Sequence, residues 1–295
     1  MDALFRGCGV AVATTFKADG SVDYDAYARL ITWLLDNGAD AIVACGTTGE
    51  SPALSDEEQI KLVSTAVKVC SGRAPVIGGA GSNNTAHAVH LAKQVHEAGA
   101  QAALTVTPYY NKPTQRGLIA HFTAQAQAAP SLPFYLYNVG GRTSCNIEPA
   151  TCTELAKVEN IIGIKEASGN IVQVAEMSAG TPDGFELHSG NDDMIVPLLS
   201  LGGIGCISVL GNIAPRFVHD MVQAFLDGDT NKAASMQLQA LPLIRALFIE
   251  TNPIPVKAAL KLMGLDTGIY RLPMCEMSPA NHAVLEREMK AFGLI

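Results

Sequence analysis

A lysine at the end of an apolar run is the residue of this chain with the most chemical promise. It stands in Ile161-Ile162-Gly163-Ile164-Lys165-Glu166-Ala167-Ser168, where β-branched residues bounded by turn-formers spell a fully buried strand. An ammonium there is costly unless it is paired or loses its proton. A free amine in such a place can attack a carbonyl carbon and hold it as a Schiff base. The bland alternative is a strand-end lysine that snorkels its charge to water. Other side chains favour the chemical reading. Gly46-Thr47-Thr48-Gly49-Glu50-Ser51 carries two hydroxyls between glycines, so backbone amides can approach an anion closely. Thr107-Pro108-Tyr109-Tyr110-Asn111, Tyr137-Asn138, Arg142, Gly190-Asn191-Asp192-Asp193 and Ile207-Ser208 add hydroxyls, amides and one guanidinium. An amine, several hydroxyls and a guanidinium suit a carbonyl substrate that bears carboxylates.

Those residues must be brought together, and the order of elements says how. Apolar strands are expected at residues 9–13, 41–44, 75–78, 102–106, 133–137, in the Lys165 run, and at 185–188 and 205–209. Amphipathic helices alternate with them at 24–36, 55–70, 85–97, 118–128, 149–158, 171–179, 192–201 and 215–226. Ser55 with Glu58 three residues on reads as a capping box. Asn37-Gly38-Ala39, Ala98-Gly99-Ala100 and Leu201-Gly202-Gly203 read as C-cap glycines before tight αβ turns. Eight strand–helix units predict an α/β chain folded as a (β/α)8 TIM barrel. Residues 1–228 would form the barrel. Residues 229–295, broken at Pro253 and Pro255 and again near Pro273, would form a helical extension packed on it. In such a barrel the site lies at the C-terminal ends of the strands, and every motif named above falls at such an end.

The bulk composition narrows the partners. A hydrophobic content of 48% against 16% charged residues gives ample material for a large core, and a net charge of −8 argues against nucleic acid or an acidic membrane surface. No stretch is long and apolar enough to span a bilayer. The start, Met1-Asp2-Ala3-Leu4-Phe5-Arg6, lacks the pattern of a signal peptide. Seven scattered cysteines without a CxxC pair fit reduced thiols in a cytoplasmic enzyme. The seven histidines form no HExxH signature; His87 and His90 share a helix face without an acidic third ligand, so no metal is expected.

Gly46-Thr47-Thr48-Gly49-Glu50, Thr107-Pro108-Tyr109-Tyr110-Asn111, Tyr137-Asn138, Gly163-Ile164-Lys165-Glu166 and Asn252-Pro253-Ile254-Pro255-Val256-Lys257 follow one another in a telling order. Together they closely resemble the dihydrodipicolinate synthase family, within the pyruvate-dependent class I aldolase-like superfamily. The resemblance covers essentially the whole chain. It implies that Lys165 condenses with pyruvate, and that the resulting enamine attacks the aldehyde of L-aspartate 4-semialdehyde, in the diaminopimelate and lysine pathway. Tyr137 would move protons, with Thr47 and Tyr110 completing a hydroxyl relay. Thr48 and the backbone at Ile207 would hold the pyruvate carboxylate, with Gly190 a further substrate-side position. Arg142 would take the carboxylate of the second substrate. The resemblance further implies that Tyr110 comes from a partner subunit, that the assembly is a homotetramer built as a dimer of dimers, and that no cofactor is needed.

The chain departs from the family pattern near Arg142, where Gly140 stands in place of the usual proline and Ser144 in place of a glycine. Relatives inhibited by lysine bind it at positions that fall here on Ser51, Pro52, Asp56, Gln59, Asn83, His87 and Tyr109. His87 replaces the usual glutamate, and weak or absent lysine inhibition is expected. A keto-sugar-acid lyase using the same lysine and a non-catalytic binding barrel are the competing readings; a metal-dependent aldolase would need clustered ligands that the sequence lacks.

Overall fold

The computed structural model describes residues 3–295; Met1 and Asp2, part of the start read as lacking a signal peptide, lie outside them. Eight parallel strands pair in chain order and close on themselves: β1 (Gly7–Ala11), β2 (Ala41–Ala44), β3 (Val76–Gly79), β4 (Ala102–Val106), β5 (Phe134–Asn138), β6 (Ile161–Glu166), β7 (Glu186–Ser189) and β8 (Gly205–Ser208). The (β/α)8 TIM barrel expected from the alternation is the fold observed. Around it run α1 (Tyr24–Asp36), α2 (Asp56–Cys70), α3 (Thr85–Glu97), α4 (Gln115–Ala128), a single turn α5 (Gly140–Thr143), α6 (Pro149–Leu155), α7 (Ile171–Gly180), α8 (Ile195–Leu199) and α9 (Pro215–Leu226). The tail contributes α10 (Thr230–Leu247), α11 (Ile254–Leu262) and α12 (Pro279–Phe292).

Local chemistry sets these boundaries. The Ser55 hydroxyl accepts from the Glu58 backbone at 3.3 Å while the Glu58 carboxylate accepts from the Ser55 backbone at 3.0 Å, so both halves of the capping box form. Gly38, Gly99 and Gly202 adopt φ of 92°, 89° and 94°, the left-handed turn that sends each helix back to a strand. β1 ends two residues earlier than expected: Val12 and Ala13 are as apolar and as buried as a strand but lie past its last register pair, Val12 still donating to the Val43 carbonyl at 3.1 Å and the Ala13 amide donating to the Asn212 side chain at 3.1 Å. The helix expected over 192–201 opens as a 3-10 turn, Asp192–Met194, since Asp192 turns inward rather than capping a helix. The double glycine at 140–141 opens the turn α5, outside every strand and helix expected from the sequence.

Apolar packing occurs in two layers. Val43, Ile77, Leu104, Tyr135 and Ile207 are among the residues that fill the barrel interior. A larger layer lies between strands and helices and continues into the tail through Leu243, Ile244, Leu285 and Met289. Truncating one such buried aliphatic side chain costs about 2–5 kcal/mol. α10 lies against α8 and α9, α11 against α10 and α12, so the tail shares the apolar layer of the helices it covers.

Candidate active site

The strand period of two sorts the residues at the ends of β5 and β6. Tyr137 and Lys165 are register partners and face the barrel interior. Lys165 is 5% exposed, and its amine lies 4.3 Å from the centre of the Tyr137 ring. None of the ion pairs among the described residues includes Lys165. The next pair in register, Asn138 and Glu166, faces the opposite way and is latched: the Asn138 amide donates to the Glu166 carboxylate at 2.9 Å. Glu166 also accepts from the Ser168 backbone at 2.6 Å, and Asn138 accepts from the Ile147 backbone at 2.9 Å. Burial raises the Glu166 carboxyl, with the bonds from Ser168 and Asn138 opposing it. The latch holds β5 and β6 in the register that stacks amine on ring. Gly190 makes room on the other side. A β-carbon there would sit 3.0 Å from both Cγ and Cε of Lys165, so any side chain would crowd the lysine stem.

The loop after β2 is held from two directions. The Thr14 hydroxyl donates to the Gly49 carbonyl at 2.6 Å. From the tail, the Asn252 side-chain amide donates to the Thr48 hydroxyl at 3.0 Å, and the Asn252 backbone carbonyl accepts from Arg142 at 3.2 Å. Glu50, in left-handed backbone at φ 53°, is buried and accepts from Lys257 at 2.6 Å. Lys257 is fully buried; it also donates to the Ile269 carbonyl at 2.5 Å and lies 4.4 Å from the centre of the Phe16 ring. Burial pushes the Lys257 ammonium down, and the Glu50 charge pulls it back up. Removing either partner would strand a buried charge, at a cost of about 3–5 kcal/mol.

At the end of β8, the buried Asp192 carboxylate accepts from the Ser208 hydroxyl at 2.5 Å and from the backbones of Val209 at 3.0 Å and Leu210 at 2.8 Å. It thereby fixes the chain that leaves Ile207, itself wholly buried in the barrel interior. Burial raises the Asp192 carboxyl; its three hydrogen bonds and the nearby Lys165 charge oppose that rise.

Comparison with known proteins decides what this arrangement belongs to. The profile of the Dihydrodipicolinate synthetase family matches residues 4–292. The chain is 51% identical over 294 residues to the 4-hydroxy-tetrahydrodipicolinate synthase of Lachnoclostridium phytofermentans, covering 99% of this chain and 100% of that relative. It superposes on the crystal structure of dihydrodipicolinate synthase from Aquifex aeolicus with a TM-score of 0.96 at 44% identity, covering 98% of this chain and 99% of the other. It superposes equally well on the enzyme from Cyanidioschyzon merolae with lysine bound, with a TM-score of 0.97 at 41% identity and full coverage of both chains. The chain belongs to the dihydrodipicolinate synthetase family. It is an aldolase-like lyase of that type.

Seen as a dihydrodipicolinate synthetase fold, the expected site residues fall into two groups. Lys165, Tyr137, Ile207 and Thr48 are buried at the mouth, and Thr47 is half-buried beside them. A cavity of about 340 Å3 is lined by Thr47, Tyr137 and Arg142 and runs on to Ser51, His87 and Tyr109. Tyr110 stands apart: it is 91% exposed, with φ 72°. Asn83 donates to the Tyr109 carbonyl at 3.1 Å and so holds the loop that carries both tyrosines. His87 contacts both Asp56 carboxylate oxygens at 3.0 Å and the Ser82 hydroxyl at 3.2 Å. Sequence reasoning missed Asn252, Lys257 and Glu166 as holders of the site. They were visible only as members of motifs, since the contacts of Asn252 with Arg142 and Thr48 and of Lys257 with Glu50 join residues 110 to 207 positions apart.

Proposed function

We propose that this chain makes 4-hydroxy-tetrahydrodipicolinate, the product for which its relatives are named, from pyruvate and L-aspartate 4-semialdehyde. The observation that carries the reading is a buried lysine amine, free of any ion pair among the described residues, 4.3 Å from the ring of Tyr137 at the mouth of the barrel. The amine adds to the pyruvate carbonyl; a C–N bond forms and water leaves, giving the Schiff base. Loss of a methyl proton gives the enamine, whose carbon bonds to the aldehyde carbon of the second substrate. The substrate amine then attacks the imine carbon, closes the ring and displaces Lys165. Tyr137 is the proton carrier, with the Thr47 and Tyr110 hydroxyls leading to solvent. A phenol with pKa near 10 is a poor base alone, and neighbouring hydroxyls ease its transfers. Thr48 and the backbone at Ile207 receive the pyruvate carboxylate, beside Gly190. Arg142 offers a planar fork to the second carboxylate.

The reading includes a second copy of the chain. A tyrosine 91% exposed in left-handed backbone makes little sense in an isolated barrel, and supplying Tyr110 to a neighbour's mouth gives it a use. A dimer is then the smallest complete catalyst, and a dimer of dimers the expected assembly. No described helix is long and apolar enough to cross a membrane; we read the enzyme as cytoplasmic. Borohydride added in the presence of pyruvate tests the chemistry. A reduced pyruvyl adduct mapped to Lys165 is expected, and folded protein with no adduct would overturn the proposal. Ranking acceptor aldehydes by rate then tests the second substrate: aspartate 4-semialdehyde should lead any sugar aldehyde.

A further inference from the structure

We propose that Asn252 is a positioning residue that sets up both carboxylate-binding groups of the mouth, and that it commits the Thr48 hydroxyl to donate towards the first substrate. The inference rests on the roles given above to Thr48 and Arg142. The Asn252 amide donates to the Thr48 oxygen at 3.0 Å. A threonine hydroxyl has one proton and two lone pairs. With a lone pair engaged by the amide, its proton stays available to an anion. A hydroxyl facing an acceptor would turn its proton that way and offer the substrate carboxylate only lone pairs. The backbone carbonyl of the same residue accepts from Arg142 at 3.2 Å, so one tail residue touches the groups assigned to the two substrates. Asn252 is itself buried, which keeps the Thr48 contact out of competition with water. The tail is anchored five residues on, where Lys257 meets Glu50 of the Thr48 loop at 2.6 Å. Loop and tail therefore move as one piece.

The decisive variant is Asn252→Asp, which keeps the shape and replaces the donor by an acceptor. Thr48 would then donate to Asp, and the added negative charge would face the substrate carboxylate. The pyruvate concentration needed for half-maximal borohydride trapping of Lys165 should rise at least about tenfold, as expected for loss of a hydrogen bond to a charged group. Asn252→Ala should raise it less, about fivefold. The Thr48→Val/Asn252→Ala double variant should be no worse than Thr48→Val alone, because both act through one proton. Trapping at saturating pyruvate should reach the wild-type extent in each variant. Unchanged half-saturation in Asn252→Asp, or additive effects in the double variant, would overturn the inference. A purely structural role would show as lowered melting temperature with unchanged half-saturation, which also overturns it. Absence of any adduct in the wild-type enzyme would instead remove the Schiff-base reading, and this inference with it.

Discussion

The mouth and the base of the barrel draw on the same strands and many of the same residue types, yet they leave their polar groups in opposite states of pairing. Two residues before Tyr137 on β5 stands Tyr135; two before Lys165 on β6 stands Gly163. At the base Tyr135 donates to Glu186, whose carboxylate also accepts from the Leu4 backbone at 2.8 Å and meets His188 at 3.3 Å. Phe5 stacks flat on the His188 ring, 4.2 Å between centres, and closes the bottom. A β-carbon on Gly163 would sit 2.9 Å from the Tyr135 ring and 2.4 Å from the Glu186 carbonyl, so glycine leaves Tyr135 space to reach across. Burial and the Glu186 charge push the Tyr135 hydroxyl far above its ordinary range. At the mouth Gly190 clears space in the same way, but for a lysine whose amine meets an aromatic face and forms no ion pair among the described residues. The difference is one of bonding capacity, left unspent at the mouth and spent at the base. At the base both oxygens of the one carboxylate are committed.

Exchanging the two tyrosines for phenylalanine is the strongest way to break that comparison. Tyr137→Phe should lower kcat by about a hundredfold to ten-thousandfold, the usual worth of a positioned proton carrier, with little change in denaturant midpoint. Tyr135→Phe should leave turnover near wild type and cost about 1–3 kcal/mol of stability, since Glu186 loses a buried donor. Steady-state rates and urea unfolding on the same preparations separate the two. If Tyr135→Phe lost turnover as heavily at unchanged stability, the base would have to be counted as part of the catalyst.

The barrel was legible in the sequence because its signals are local. Gly38, Gly99 and Gly202 mark helix-to-strand turns by a backbone requirement, and Ser55 with Glu58 marks a helix start by a pair of bonds three residues apart. Lys165 and Tyr137 were legible too, since each ends a strand and a barrel gathers strand ends at one face. What stayed hidden depends on distance along the chain or on which face of a strand a residue takes. Nothing local says that Asn252 will meet Thr48, or that Lys257 will be buried against Glu50. His188 read as the end of an apolar strand. Its hydrogen-bond contact with Glu186 needs two inward-facing positions of β7 to be polar, against the usual filling of a barrel interior. β1 was displaced by two residues because hydrophobicity marks burial, and Val12 and Ala13 are buried beyond the last register pair of the strand.

Acid should separate base from mouth. Burial holds His188 below the ordinary histidine range, with Glu186 pulling the other way. Glu186 is held below the ordinary carboxylate range: burial would raise it, but its bonds from His188, Tyr135 and the Leu4 backbone prevail. Both groups therefore bind protons more readily in the unfolded chain. Stability should fall as pH drops below about 6.5, where an unfolded histidine takes its proton, and fall further below about 4.3 as carboxylates follow. Urea midpoints measured from pH 7.5 down to 4 should show this decline, and His188→Gln should flatten its upper part. A variant as acid-sensitive as wild type between pH 6.5 and 5 would place the titrating group elsewhere.

The smallest effect is expected where the cavity leaves the mouth and reaches His87. This corner is half-way between the two regions: it opens on the cavity, as the mouth does, but its carboxylate is already met, as at the base. His87 sits 3.0 Å from both oxygens of Asp56. Both side chains are more than a third exposed, so the pair itself contributes at most about 1 kcal/mol and would yield to a good ligand. Among the described residues that line the cavity, Asp56 is the one carboxylate. A ligand with two amines would find one acidic partner, shared with a histidine, where a glutamate at position 87 would supply another. Lysine should therefore inhibit weakly or not at all, and half-inhibition at submillimolar lysine in a steady-state assay would refute this. His87→Glu should strengthen inhibition by freeing Asp56 and adding a charge. If it does not, the weak or absent inhibition expected here would lie in the shape of the corner rather than in its charge.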